Sequence, residues 1–159
     1  MDLGLKNKVA IITGGSDGIG KAAAISIAKE GGKVAIVGRT QSKIDSAIND
    51  IKIDTHNDVI GISADVSIES DVQNMVNEVI SKFGQIDILI NNAGTSAATT
   101  LEKMTDEQLE IDFGIKVYGG VYCARAVLPH LKKTGSGVII NTTTPGGKAS
   151  GPGGQPTSL

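Results

Sequence analysis

Five short apolar runs, the first four each followed by a longer stretch with helical spacing, constrain this chain more than any other feature. The runs are VAIIT from Val9 to Thr13, then KVAIVG, DVIGISA, QIDILINNAG and GVIINT. They are apolar at successive positions, not at alternate ones, so a strand made from them must be covered on both faces. Strands of that kind alternating with helices form parallel sheets, and right-handed crossovers place the helices on both sides. The expected fold is therefore α/β: a doubly wound parallel sheet in three layers, α/β/α.

The stretches between the strands carry their own punctuation. GIGKAAAISIAKEGG reads as a helix with Ile19, Ala23 and Ile27 at i, i+4 and i+8 on its inward face, stopped by Gly31 and Gly32. The next helix, TQSKIDSAINDIKID, aligns Ile44, Ile48 and Ile51. Val72, Met75, Val76, Val79, Ile80 and Phe83 give the clearest helical period, with Ser67 as the expected N-cap and Gly84 as the stop. Thr105 and Gln108 have capping-box spacing at the head of a helical stretch that runs to about Lys133. No internal repeat or linker divides the chain, so residues 1–159 read as one domain.

Composition excludes several function classes. The net charge is −2 with no basic cluster, and aromatic residues make up 3%, which argues against nucleic acid or an anionic membrane as partner. No segment approaches the roughly 20 apolar residues that cross a bilayer. The single cysteine, Cys123, has no internal partner for a disulfide, and it reads as a small buried hydrophobe. A cytoplasmic location is expected. No cluster with metal-ligand spacing stands out, so no metal is expected.

The chemistry begins where the first strand ends. Gly14, Gly18 and Gly20 are spaced G-x-x-x-G-x-G in TGGSDGIG, and a helix starts there. Glycine is needed where backbone approaches a pyrophosphate and where helix and strand pack closely. The helix N-terminus offers N–H groups and partial positive charge to the phosphates. After the second strand comes VGRT, with Arg39 and Thr40 and no acid at the tip. A carboxylate there would take the 2′-hydroxyl of NAD, whereas an arginine suits the 2′-phosphate of NADP. NADP is thus the expected cofactor, with NAD possible. Asp17 inside the glycine loop opposes strong phosphate selectivity.

TGGSDGIG, ADV at Ala64 to Val66, NNAG at Asn91 to Gly94, and RAVLPHLKKTGSGVIIN together resemble the short-chain dehydrogenase/reductase family, in particular its 3-oxoacyl-acyl-carrier-protein reductases. The resemblance implies a Rossmann-type sheet and hydride transfer between a nicotinamide and a small-molecule carbonyl or secondary alcohol. It also implies that Gly14, Ser16, Asp17 and Ile19 line the pyrophosphate and that Asp65 and Val66 flank the adenine. Asn92, Ala93 and Gly94 would pass under the cofactor. A homo-oligomer is expected.

Members of that family typically continue past the point where this chain stops, so the domain is expected to be incomplete at its C-terminus. A chain of these residues alone is then expected to be marginally stable or to associate through its edge strand, Val138 to Asn141. The resemblance carries the catalytic positions onto altered residues. Thr144 stands where a serine normally holds the substrate oxygen, and Thr157 where a tyrosine normally delivers the proton. Lys116 stands where the long helix normally has an asparagine. A threonine hydroxyl is far less acidic than a phenol, so Lys116 is a candidate acid, against the alternative of a lysine reaching to solvent. Tyr118 and Tyr122, at i and i+4, read as packing residues. The rival to an enzyme is a dinucleotide-binding protein without turnover, acting as a sensor or partner subunit. Between Pro145 and Pro156, eight of twelve residues are Gly or Pro.

Overall fold

The computed structural model describes residues 3–55, 57–95 and 99–143. Thr144, Thr157 and the Gly/Pro segment lie outside them. Along the chain the elements are β1 (Val9–Thr13), α1 (Gly18–Lys29), β2 (Lys33–Gly38), α2 (Gln41–Thr55), β3 (Val59–Ser63), α3 (Glu69–Phe83) and β4 (Ile88–Asn91). After them come α4 (Asp106–Phe113), a π turn (Gly114–Tyr118), α5 (Gly119–Thr134) and β5 (Val138–Asn141). All strand pairs are parallel and the order is β3-β2-β1-β4-β5. The chain winds outward from β1 in both directions, so the order reverses between β1 and β4.

Strands β1 to β4 divide their side chains between two cores, which is why their apolar runs are continuous. Val9, Ile11, Ala35, Val37 and Leu89 meet Val72, Met75, Val76 and Val79 of α3 and Cys123, Val127 and Leu131 of α5. Ala10, Ile12, Val34, Ile36 and Ile90 face the other way, onto Ala24, Ile27 and Ala28 of α1 and Ile44, Ala47 and Ile51 of α2. Each large aliphatic side chain buried this way contributes about 1.5–3 kcal/mol. Asp87 locks the register of β1 against β4. Its backbone N–H donates to the Val9 carbonyl, and its carboxylate accepts from the Val9 N–H at 2.9 Å and the Lys8 ammonium at 3.0 Å.

Helix ends follow the sequence reading at most points. Gly84 closes α3 in the left-handed conformation, φ 81°. Thr105 and Gln108 form a complete capping box. Three expectations are corrected. Ser67 does not cap α3: the cap position is Ile68, and the Ser67 hydroxyl donates to Asp65 instead. Ile19 is 71% exposed, because the inward face of α1 is Gly20, Ala24, Ile27 and Ala28. The long helical stretch is two helices joined by the π turn.

Candidate functional site

The C-terminal ends of β1 and β4 form the base of the site. Thr13, the last residue of β1, is 2% exposed, and its hydroxyl accepts the Asn92 and Ala93 N–H groups, each at 3.0 Å. The Asn92 amide donates back to the Thr13 and Gly14 carbonyls at 3.2 and 3.3 Å. The glycine loop and the NNAG loop are therefore bolted together at the point where strand order reverses. Gly14 takes φ +64°, and a Cβ there would lie 3.0 Å from Ala93 Cα. A Cβ at Gly20 would collide with the Gly14 carbonyl oxygen. Side chains would fill the cradle that the backbone leaves open. Asp17 caps α1 by accepting the Gly18 N–H at 2.8 Å.

Two clefts open on this base. The smaller, about 270 Å³, runs from Gly14, Ser16 and Asp17 across Arg39 and Thr40 to Asp65 and Val66. The larger, about 610 Å³, runs from Ile19 and Asn92 past Lys116 to Asn141 and Thr143. Both are lined by Val66, Ala93, Gly94 and Ile115, so they are continuous. The joined clefts run along the strand ends, the position at which ligands bind open α/β sheets. Of the sequence-proposed residues, Gly18 and Gly20 line neither cleft. Gly18 opens α1 with φ +51°, and Gly20 is buried beneath the loop.

Charge is unevenly spread along the cleft. Arg39 Nη1 stands 3.8 Å from Asp65 Oδ2, and the arginine side chain is 59% exposed. Asp65 Oδ1 accepts from the Ser67 hydroxyl at 2.6 Å and the Ser67 N–H at 2.9 Å. Partial burial pushes the Asp65 carboxyl up, but the Ser67 hydrogen bonds and the Arg39 charge outweigh it and hold the group below the usual value. At the other end, Lys116 Nζ donates to Asp112 Oδ2 at 2.8 Å. Asp112 is 4% exposed and also accepts the Thr95 hydroxyl. Lys116 thus lies in the larger cleft in an ion pair, which differs from the solvent-reaching alternative. Tyr118 and Tyr122 stack with ring centroids 6.4 Å apart, and Tyr118 is exposed.

Sequence reasoning missed Thr13, Lys43, Thr95 and Asp112. Lys43 lines the smaller cleft, one helical turn beyond Arg39. The Asp-x-x-x-Lys spacing of Asp112 and Lys116 was a signal available in the sequence. Thr13 and Thr95 gave none, because their partners are distant in the chain.

The profile of the family described as short chain dehydrogenase matches residues 8–156. A 3-oxoacyl-[acyl-carrier-protein] reductase of Staphylococcus epidermidis is 33% identical over 148 residues, covering 92% of this chain and 60% of the relative. The crystal structure of L-sorbose reductase from Gluconobacter frateurii, complexed with NADPH and L-sorbose, superposes with a TM-score of 0.92 at 34% identity, over 99% of this chain and 60% of that one. NAD+-bound xylitol dehydrogenase superposes with a TM-score of 0.91 at 26% identity, over 97% of this chain and 59% of that one. The chain spans about 60% of the length of the relatives it matches.

Proposed function

The chain belongs to the short chain dehydrogenase family, and on that premise we propose that it is an oxidoreductase preferring NADP(H) over NAD(H) and acting on a small-molecule carbonyl or secondary alcohol. The observation that carries the reading is the continuous pair of clefts over a glycine cradle at the reversal of strand order. A nicotinamide cofactor bound there supplies or accepts the hydride. The chain's own residues bind, orient and move protons. Gly14, Ser16, Asp17 and Ile19 line the pyrophosphate, Gly18 turns the chain into α1, and Gly20 lets that helix pack close. Arg39 and Thr40 take the 2′-phosphate, and Asp65 and Val66 flank the adenine. Asn92, Ala93 and Gly94 form the floor beneath the nicotinamide end.

In this proposal Lys116, steadied by Asp112 at 2.8 Å, gives or takes the proton at the substrate oxygen. Thr144 positions that oxygen, and Thr157 stands in the place of the usual acid. Val117, Val121 and Leu128 form an exposed apolar strip that supports a homo-oligomer. The setting proposed is the cytoplasm, where the unpaired Cys123 thiol would stay reduced.

Loss of nicotinamide absorbance tests the reading, with NADPH and a panel of ketones and aldehydes. The panel includes a sugar ketone and a 3-oxoacyl thioester, classes named in two of the relatives. Oxidation with at least one class is expected. Saturable NADPH binding with no oxidation by any of them would replace the enzyme by a binding protein without turnover.

A further inference from the structure

Cofactor choice places two cations and one carboxylate on the same rim. Arg39 follows β2 directly, and Lys43 lies in the first turn of α2, where its N–H donates to the Thr40 carbonyl at 3.1 Å. Asp65 approaches from the end of β3 and holds Arg39 Nη1 at 3.8 Å. Both Asp65 oxygens are in use: Oδ1 takes the two Ser67 donors, and Oδ2 faces the arginine. The carboxylate is fixed in place and stays ionised, so part of the Arg39 charge is offset before any ligand arrives.

Lys43 is in a different position. Among the described residues it has no ion-pair partner, yet it lines the cleft. It also sits where a cation opposes the helix macrodipole, and no acidic residue in the first turn of α2 compensates it. A lysine so placed does nothing for the helix, but a dianion at this rim would draw favourable energy from both. The charged lining of the smaller cleft is Asp17 and Asp65 against Arg39 and Lys43. An added phosphate therefore meets a balanced field, and only a cation that can turn toward it without breaking a pair tips that balance.

We propose that Lys43 is a second specificity-determining residue for the 2′-phosphate of NADP(H), and that Asp65 limits the contribution of Arg39 by competing for it. This rests on the dinucleotide reading above. The ratio of NADPH to NADH affinity isolates the phosphate, since every contact shared by the two cofactors cancels. The 159-residue chain would be titrated with each cofactor, unchanged and as Lys43→Ala, Lys43→Gln and Asp65→Asn. The last variant keeps an Oδ1 acceptor for Ser67, removes the charge and turns an amide NH2 toward Arg39.

Both Lys43 variants should lower the ratio about three- to tenfold at low salt. The loss should shrink toward nothing near 1 M salt, where the screening length is about 3 Å. Asp65→Asn should raise the ratio about threefold. A ratio unmoved by the Lys43 variants, or unchanged or lowered by Asp65→Asn, overturns the inference and leaves dinucleotide binding standing. A folded chain that binds neither cofactor overturns both.

Discussion

Asp87 enters the core with a full charge, and its surroundings explain why the fold tolerates it. It is 2% exposed, but the Val9 N–H, the Lys8 ammonium and the Gln85 amide all donate to it. Burial pushes its carboxyl up, and these donors more than reverse that, so it lies below the usual carboxylate range. A carboxyl depressed in the folded state stabilises the fold fully above about pH 4, and that contribution disappears as pH falls through the folded-state value. Asp87→Asn should cost about 2 kcal/mol at pH 7. Urea midpoints at pH 7 and pH 3 should then fall further in the unchanged chain than in the variant; equal falls would remove Asp87 from the acid response. Cys123 behaves oppositely. It is fully buried, and burial pushes its thiol up to about 12. Its thiolate fraction near neutral pH is roughly a thousandfold below that of a free cysteine. Pulsed alkylation should therefore modify it only after unfolding, and rapid labelling of the native chain would contradict its burial. Arg39→Ala removes one of the two cations that line the smaller cleft. A charge-assisted contact to phosphate contributes about 1.5–3 kcal/mol, reduced here by exposure and by Asp65. The variant should lose up to about tenfold in NADPH affinity with NADH nearly unchanged in calorimetry, and equal losses would show that Arg39 does not read the phosphate.

At the scale of elements, what was legible in the sequence was whatever leaves a local pattern. The period of α3 placed Val72, Met75, Val76 and Val79 inward, because a buried helical face requires that spacing. The Thr105–Gln108 box was readable because both its hydrogen bonds span three residues. The π turn was not. One wider turn at Gly114–Tyr118 shifts the apolar spacing too little to separate from a continuous helix. Ile19 misled for the reverse reason: it fits the helical period, yet its face of α1 opens on the larger cleft. Thr13 and Asn92 are joined across 79 positions of chain, and such a contact has no period at all. The π turn carries its own prediction. Asp112 ties Lys116 to Thr95 from a buried position, so removing the carboxylate takes an acceptor from both. Asp112→Ala should destabilise the chain by about 3 kcal/mol, and Thr105→Ala at the exposed head of α4 by about 1 kcal/mol. Chemical denaturation checks both; equal costs would mean that the Asp112 cluster contributes no more than an ordinary cap.

Across the whole molecule, the sheet order carries the account. Winding outward from β1 brings the ends of β1 and β4 side by side, and the glycine loop, the NNAG loop and the π turn all meet there. Continuous apolar runs made that architecture readable, while the clefts became visible only once the strands were ordered. The same order leaves β5 hydrogen-bonded to β4 alone among the described residues, with Val138 and Ile140 each 47% exposed. Apolar strand edges pair with other chains, so sedimentation should show association that grows with concentration and weakens in Ile140→Lys. A strictly monomeric chain at all concentrations would contradict that. The central claim is that one dinucleotide lies along the joined clefts. Calorimetric titration of the folded chain with NADPH, and separately with NADH, tests it most directly. Saturable binding of one equivalent, tighter for NADPH, is the expected result; a cooperatively folded chain that gives no saturable heat with either cofactor would contradict it.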